Sequence, residues 1–132
     1  MSIPYRETND LLIKWASRKP PIEDFTVENV LHALNLDNIY YQEMLNYLMR
    51  KSDFELIPLQ MLLCPNGHKG ETFPLDSPID EEEIYDCWCG ELDHFHLDNL
   101  ILVFQFTEEF KRDAIGSEKK KLRWWKRNLV LI

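Results

Sequence analysis

The chain has 132 residues, of which 45% are hydrophobic and 12% aromatic, with 15 Lys+Arg against 23 Asp+Glu and a net charge of −8. That length suits one domain of ordinary size, and the apolar content excludes wholesale disorder. The charge is unevenly placed: residues 118–132 hold six basic residues and one acid, a local +5, which leaves 9 basic and 22 acidic residues, or −13, in residues 1–117. An acidic body of this kind is excluded as a nucleic-acid coat, because phosphate neutralisation needs basic surface. A basic segment containing Trp124 and Trp125 follows it, and the two parts call for separate readings.

The first half predicts three helices. Thr8, Asn9 or Asp10 is a candidate cap for a segment carrying Leu11, Leu12, Trp15 and Ala16, which Pro20-Pro21 ends. Thr26 is the next candidate cap, followed by Val27, Val30, Leu31 and Leu34 at helical spacing, with His32 on that helix. Asp37 or Asn38 opens the third, in which Tyr41, Met44, Leu45, Leu48 and Met49 form the clearest apolar stripe.

The second half shifts to extended chain. Residues 54–63 read as a strand, with Pro58 restricting it to an edge, a bulge or a late start. Residues 74–86 are acidic, with Asp80-Glu81-Glu82-Glu83 at their centre, and predict an exposed loop. Residues 92–97 alternate loosely, and Leu100–Phe106 is the strongest strand. Thr107 is placed to cap a short helix through Glu108, Glu109 and Phe110, with Gly116 as its stop. The expected fold is α+β: an N-terminal three-helix unit, then a small antiparallel sheet. The expected domain covers 1–116, with a metal-binding insertion at about 62–92, and 117–132 form the basic tail. Three short helices followed by a hairpin region resemble, in element order, winged helix-turn-helix domains, over roughly Asp10 to Phe106.

The most specific local pattern is Cys64-Pro65-Asn66-Gly67-His68, followed after 18 residues by Cys87-Trp88-Cys89-Gly90. Zinc takes four ligands in a tetrahedron, and thiolates with imidazole are its usual structural set. Gly67 and Gly90 suit the tight turns that let two side chains of one loop converge on an ion. The two segments resemble the knuckles of a zinc ribbon, with Cys-Pro-x-Gly-His and Cys-x-Cys-Gly in place of the commoner Cys-x-x-Cys halves. That resemblance implies a structural Zn2+ held by Cys64, His68, Cys87 and Cys89, which uses every cysteine in the chain. His94 or His96 is an alternative to His68. The competing expectation is of thiols without metal, Cys64 being a small core residue at the end of a strand.

An odd cysteine count with two thiols a single residue apart does not suit a disulfide framework, and residues 1–8 show no apolar leader, so a reducing cytoplasmic setting is expected. The sequence has no phosphate-binding glycine loop, nucleophile elbow or His-Glu-x-x-His motif, which favours a non-enzymatic role. His94 and His96, which alternation puts on one strand face, are the exception and leave a small metal-dependent enzyme as an alternative.

The third helix offers Asn38, Gln42, Glu43, Asn46, Arg50 and Lys51, a poor surface for DNA phosphates on an acidic body. An adaptor or protein-interaction module is therefore expected, with a winged-helix transcription regulator as the alternative. In the tail, Lys119, Lys120, Lys121, Arg123, Lys126 and Arg127 flank Trp124 and Trp125. Cations beside indoles suit a partner protein or an anionic membrane surface, giving a cytoplasmic, membrane-associated expectation. Leu129–Ile132 is too short to span a bilayer, and the alternative is that the tail packs back on the domain.

Overall fold

The computed structural model describes residues 2–52, 54–64, 66–78, 84–86, 92–94 and 99–117, with 84–86 and 92–94 as backbone only. Helix α1 is Tyr5–Ser17, α2 Val27–Ala33 and α3 Tyr41–Arg50, the last entered through a 3-10 turn at Asn38–Tyr40. Strands are β1 Leu56–Leu63, β2 Lys69–Pro74, β3 Ile84–Asp86, β4 Leu92–His94 and β5 Leu100–Phe106. Residues 108–117 are helical and are called α4. The fold is α+β. The chain divides into two compact units, Met1–Ile57 with Gln105–Ile132, and Pro58–Phe104.

In the helical unit, α2 starts as its sequence requires. The Thr26 hydroxyl accepts the Asn29 N–H at 3.1 Å, and the Asn29 side chain accepts the Thr26 N–H at 2.9 Å. This reciprocal box satisfies two otherwise orphaned donors. Helix α1 differs from expectation: it begins at Tyr5 after Pro4, and Thr8 lies inside it, fully buried, with its hydroxyl donating to the Pro4 carbonyl at 2.7 Å. Thr8 therefore bonds backward along the helix instead of capping it. The core of this unit collects Leu12, Ala16, Phe25, Val27, Val30, Leu31, Met44 and Leu48, with Leu56, Phe106 and Ala114. Phe25 sits between Trp15 and Phe106 at ring-centroid distances of 5.4 and 5.1 Å, a spacing at which tilted rings attract. The amide of Ile3 donates to the Glu43 carboxylate and so ties the N-terminus to α3.

Thr107 joins α4 to the chain entering β1. Its N–H donates to the Glu55 carbonyl at 3.0 Å, its hydroxyl donates to the Phe54 carbonyl at 3.1 Å, and the same oxygen accepts the Phe110 N–H at 3.1 Å. Thr107 thus caps α4 as the sequence indicates, but Gly116 lies within the helix and does not stop it. Phe54 and Glu55 belong to a turn hydrogen-bonded to the Lys51 carbonyl and not to the strand that was expected to begin there.

In the second unit a three-stranded sheet has the order β2-β1-β5, and β3 pairs with β4. Strand β2 runs antiparallel to β1, with Leu59 opposite Pro74, Met61 opposite Thr72 and Leu63 opposite Lys69, and with a register irregularity between Met61 and Leu63. Met61, Leu62, Cys64, Val103 and Phe104 are buried. Ile84–Asp86, expected as loop, is strand β3, antiparallel to β4 with Ile84 opposite His94 and Asp86 opposite Leu92.

Candidate metal centre

Residues 64–68 connect β1 to β2, so antiparallel pairing brings the chain back on itself at this point. The Gly67 N–H donates to the Cys64 carbonyl at 2.8 Å, and the Cys64 N–H to the His68 carbonyl at 3.0 Å, closing the turn. Gly67 has φ +84°, in the region that glycine occupies without a Cβ clash. The turn aims both candidate ligands at one point. Cys64 is 3% exposed, its Sγ lies 3.2 Å from His68 Nδ1, and the His68 backbone N–H donates to Sγ at 3.3 Å.

The donor set can be tested against zinc geometry. With Zn–S of about 2.3 Å and Zn–N of about 2.0–2.1 Å at tetrahedral angles, the S···N separation is about 3.5 Å. The observed 3.2 Å needs only a few tenths of an ångström of opening. Cys64 and His68 therefore fit as two ligands of one ion, with Nδ1 as the nitrogen concerned.

Cys87 and Cys89 fall in the segment that connects β3 to β4, as Cys64 and His68 fall in the connection of β1 to β2. Cys87, Cys89 and His96 lie outside the described residues, and His94 is described as backbone only, within β4. Among the described residues no group of three or more His, Cys, Asp or Glu is gathered into a metal-binding cluster. The tail residues Lys119, Lys120, Lys121, Arg123, Trp124, Trp125, Lys126 and Arg127, and the acidic run Asp80–Glu83, also lie outside the described residues.

On α3, Gln42 donates to the Asn46 side chain at 3.0 Å and Glu43 is engaged by Ile3, so several groups that a DNA-reading helix would offer are used locally. Among the described residues no helix is long and apolar enough to cross a membrane.

One surface of the helical unit is assembled from residues distant in sequence. Beside α1, a hollow of about 420 Å3 is lined by the apolar Ile13, Phe54 and Phe110, the acidic Glu55, Glu109 and Asp113, and Asn9. Phe54 is 76% exposed. Among the described residues lining the hollow none is basic. Lys51, just outside, pairs with Glu55 at 2.8 Å, lies over the Tyr47 ring at 5.1 Å and reaches Asn9 at 3.4 Å. Burial pulls the Lys51 pKa down, but the hydrogen bond to Glu55 and the proximity of Tyr47 outweigh it, so the ammonium is held above its ordinary value. Phe54 lies before β1, where its N–H bonds to the Lys51 carbonyl, so the strand expected over residues 54–63 does not account for its exposure.

Comparison with protein-family models, with curated proteins and with solved structures returns no match to this chain.

Proposed function

We propose that this chain is a non-enzymatic protein-interaction module whose Pro58–Phe104 unit is fastened by one structural Zn2+ on Cys64, His68, Cys87 and Cys89, and whose basic tail docks on a partner. The observation that carries the proposal is the turn at 64–68, with Sγ and Nδ1 converging to 3.2 Å under a backbone N–H···S bond. The placement of the cysteine pair 87/89 in the second antiparallel connection supports it, since two hairpin connections are where a ribbon carries its two ligand pairs. A closed Cys3His set leaves no open position for substrate, which separates a fastening role from a hydrolytic one. In such a unit the metal offsets a modest core: a small sheet that buries few side chains gains folding free energy from ion binding.

The tail supports the docking half of the proposal by composition alone: six cations and two indoles within residues 119–127 can engage an acidic partner or anionic headgroups. The test is metal content with ligand variants. The full chain purified under reducing conditions without chelator holds one zinc, and Cys64→Ser, His68→Ala and Cys89→Ser each lose it. Should His94→Ala or His96→Ala lose the metal while His68→Ala retains it, the fourth ligand is reassigned. Absence of metal from the unmodified chain would overturn the proposal. Recovery of partners with the full chain but not with a chain lacking residues 119–132 tests the docking half, and equal recovery by both would refute it.

A further inference from the structure

Two aromatic rings line the hollow beside α1, and one residue holds the backbone of both. The Thr107 hydroxyl donates to the Phe54 carbonyl at 3.1 Å and accepts the Phe110 N–H at 3.1 Å. Phe54 is fixed again by its N–H on the Lys51 carbonyl at 3.3 Å, and Phe110 by its ring against Phe106 at a centroid distance of 5.5 Å. Phe106 is core, whereas Phe54 is 76% exposed. An exposed ring on a backbone already fixed loses little entropy on being covered, which is the property of an interface anchor. The hollow, at about 420 Å3, is small among ligand-sized pockets and suits the side chains of a short segment.

The charge around these rings has one sign. Glu55, Glu109 and Asp113 line the hollow, and none of its described lining residues is basic. Glu109 and Asp113 are exposed and stand four residues apart on α4, and neither is in an ion pair among the described residues. A like-charge pair at this spacing disfavours its helix and gains from an added cation. The adjoining surface shows how such groups are satisfied: the Lys51 ammonium lies over the Tyr47 ring at 5.1 Å and pairs with Glu55 at 2.8 Å. The hollow offers the same two kinds of part again, Phe54 and Phe110 as rings with Glu109 and Asp113 as carboxylates. Glu108, which does not line the hollow, is already paired with Lys111 at 3.0 Å.

We propose that this hollow binds an extended segment of another protein that carries two cations and an aromatic side chain on one face. The cations pair with Glu109 and Asp113, and the aromatic side chain covers Phe54. Four residues of helix rise about 6 Å. Alternate residues of extended chain share a face about 6.6 Å apart, so cations two positions apart match the two carboxylates, and a ring two positions further continues the same face. Arginine suits the site better than lysine, because its planar guanidinium both pairs with a carboxylate and stacks on a ring. The surface lies wholly in the helical unit, so the inference goes beyond the proposed function and depends on neither the metal nor the basic tail.

Fluorescence anisotropy tests it, with the full chain titrated into a dye-labelled peptide Trp-Ser-Arg-Ser-Arg-Ser-Trp, whose sequence reads the same in either direction. The expected result is saturable binding that weakens as salt is raised to about 1 M, where charges are screened beyond about 3 Å. Glu109→Gln with Asp113→Asn weakens binding about fourfold, roughly twofold for each exposed pair. Phe54→Ala weakens it about tenfold through loss of the covered ring. Glu108→Gln leaves it unchanged. All these positions are exposed, so the variants keep the circular dichroism of the unmodified chain. Serine in place of both tryptophans of the peptide weakens binding to the unmodified chain but adds little to Phe54→Ala, a coupling that does not depend on comparing two folds. No saturation below about 1 mM, or binding unchanged by Phe54→Ala or by the double carboxylate variant, overturns the proposal. A dimer in sedimentation that Phe54→Ala disperses, without peptide binding, overturns it in favour of a second copy.

Discussion

Thr107→Ala removes two roles at once and gives a sharp energetic test of the helical unit. The hydroxyl accepts the Phe110 N–H at 3.1 Å, the N-cap bond of α4, and donates to the Phe54 carbonyl at 3.1 Å. Loss of a threonine cap costs about 1 kcal/mol. Loss of the second bond costs about 0.5 kcal/mol, the low end of the usual range, because water can replace the hydroxyl at an exposed carbonyl. The backbone bond from Thr107 N–H to Glu55 survives the substitution. The expected destabilisation is therefore about 1.5 kcal/mol, equivalent to a melting point lower by roughly 6–12 °C for a unit of this size. Thr107→Ser keeps the oxygen and should remain within about 0.5 kcal/mol of the unmodified chain, whereas Thr107→Val keeps the shape, loses the oxygen and should match alanine. Urea unfolding followed by far-ultraviolet circular dichroism reads all three. If serine proves as damaging as alanine, or alanine costs under about 0.3 kcal/mol, the hydroxyl does not make the bonds assigned to it.

Phe25→Ala should cost about 3–5 kcal/mol, since it empties the space between Trp15 and Phe106, and Phe25→Leu considerably less; a urea midpoint for Phe25→Ala near that of the unmodified chain would contradict the packing. Lys51 titrates higher in the folded chain than its ordinary 10.5, so its contribution is fully present below that value and is lost as pH rises through the folded pKa. The stability gap between the unmodified chain and Lys51→Met should accordingly be flat from pH 7 to about 9 and shrink above about 10.5; a gap independent of pH up to 11.5 would refute the pairing. Gly67→Ala meets no neighbouring atom within 4 Å, so its cost is the left-handed backbone alone, about 1 kcal/mol, seen as weaker zinc retention against a competing chelator; unchanged retention would show that the turn is not coupled to the ligands.

Much of the helical unit was legible in the sequence because local chemistry decides it. Thr26 and Asn29 make their box from side chains three residues apart, and Thr107 caps α4 in the same way. Where local signals misled, a distant or competing partner had taken the group. Thr8 resembles a cap but is buried, and its hydroxyl turns back to Pro4; Gly116 resembles a stop but sits in α4 without the positive φ of a terminating glycine. Strand β2, Lys-Gly-Glu-Thr-Phe-Pro, has little strand propensity and gains its conformation by pairing with β1 across the 64–68 turn. The approach of Cys64 to His68 was legible because both side chains come from one short turn. The hollow was not, because Ile13, Phe54 and Phe110 come from three separate stretches of chain.

The central claim is a Cys3His zinc centre, and X-ray absorption at the zinc edge addresses it most directly. On the full chain, purified without added metal, the account predicts one zinc per chain with a first shell of three sulfurs at about 2.3 Å and one nitrogen at about 2.0–2.1 Å. A chain without zinc, or a first shell of oxygen and nitrogen only, would contradict it.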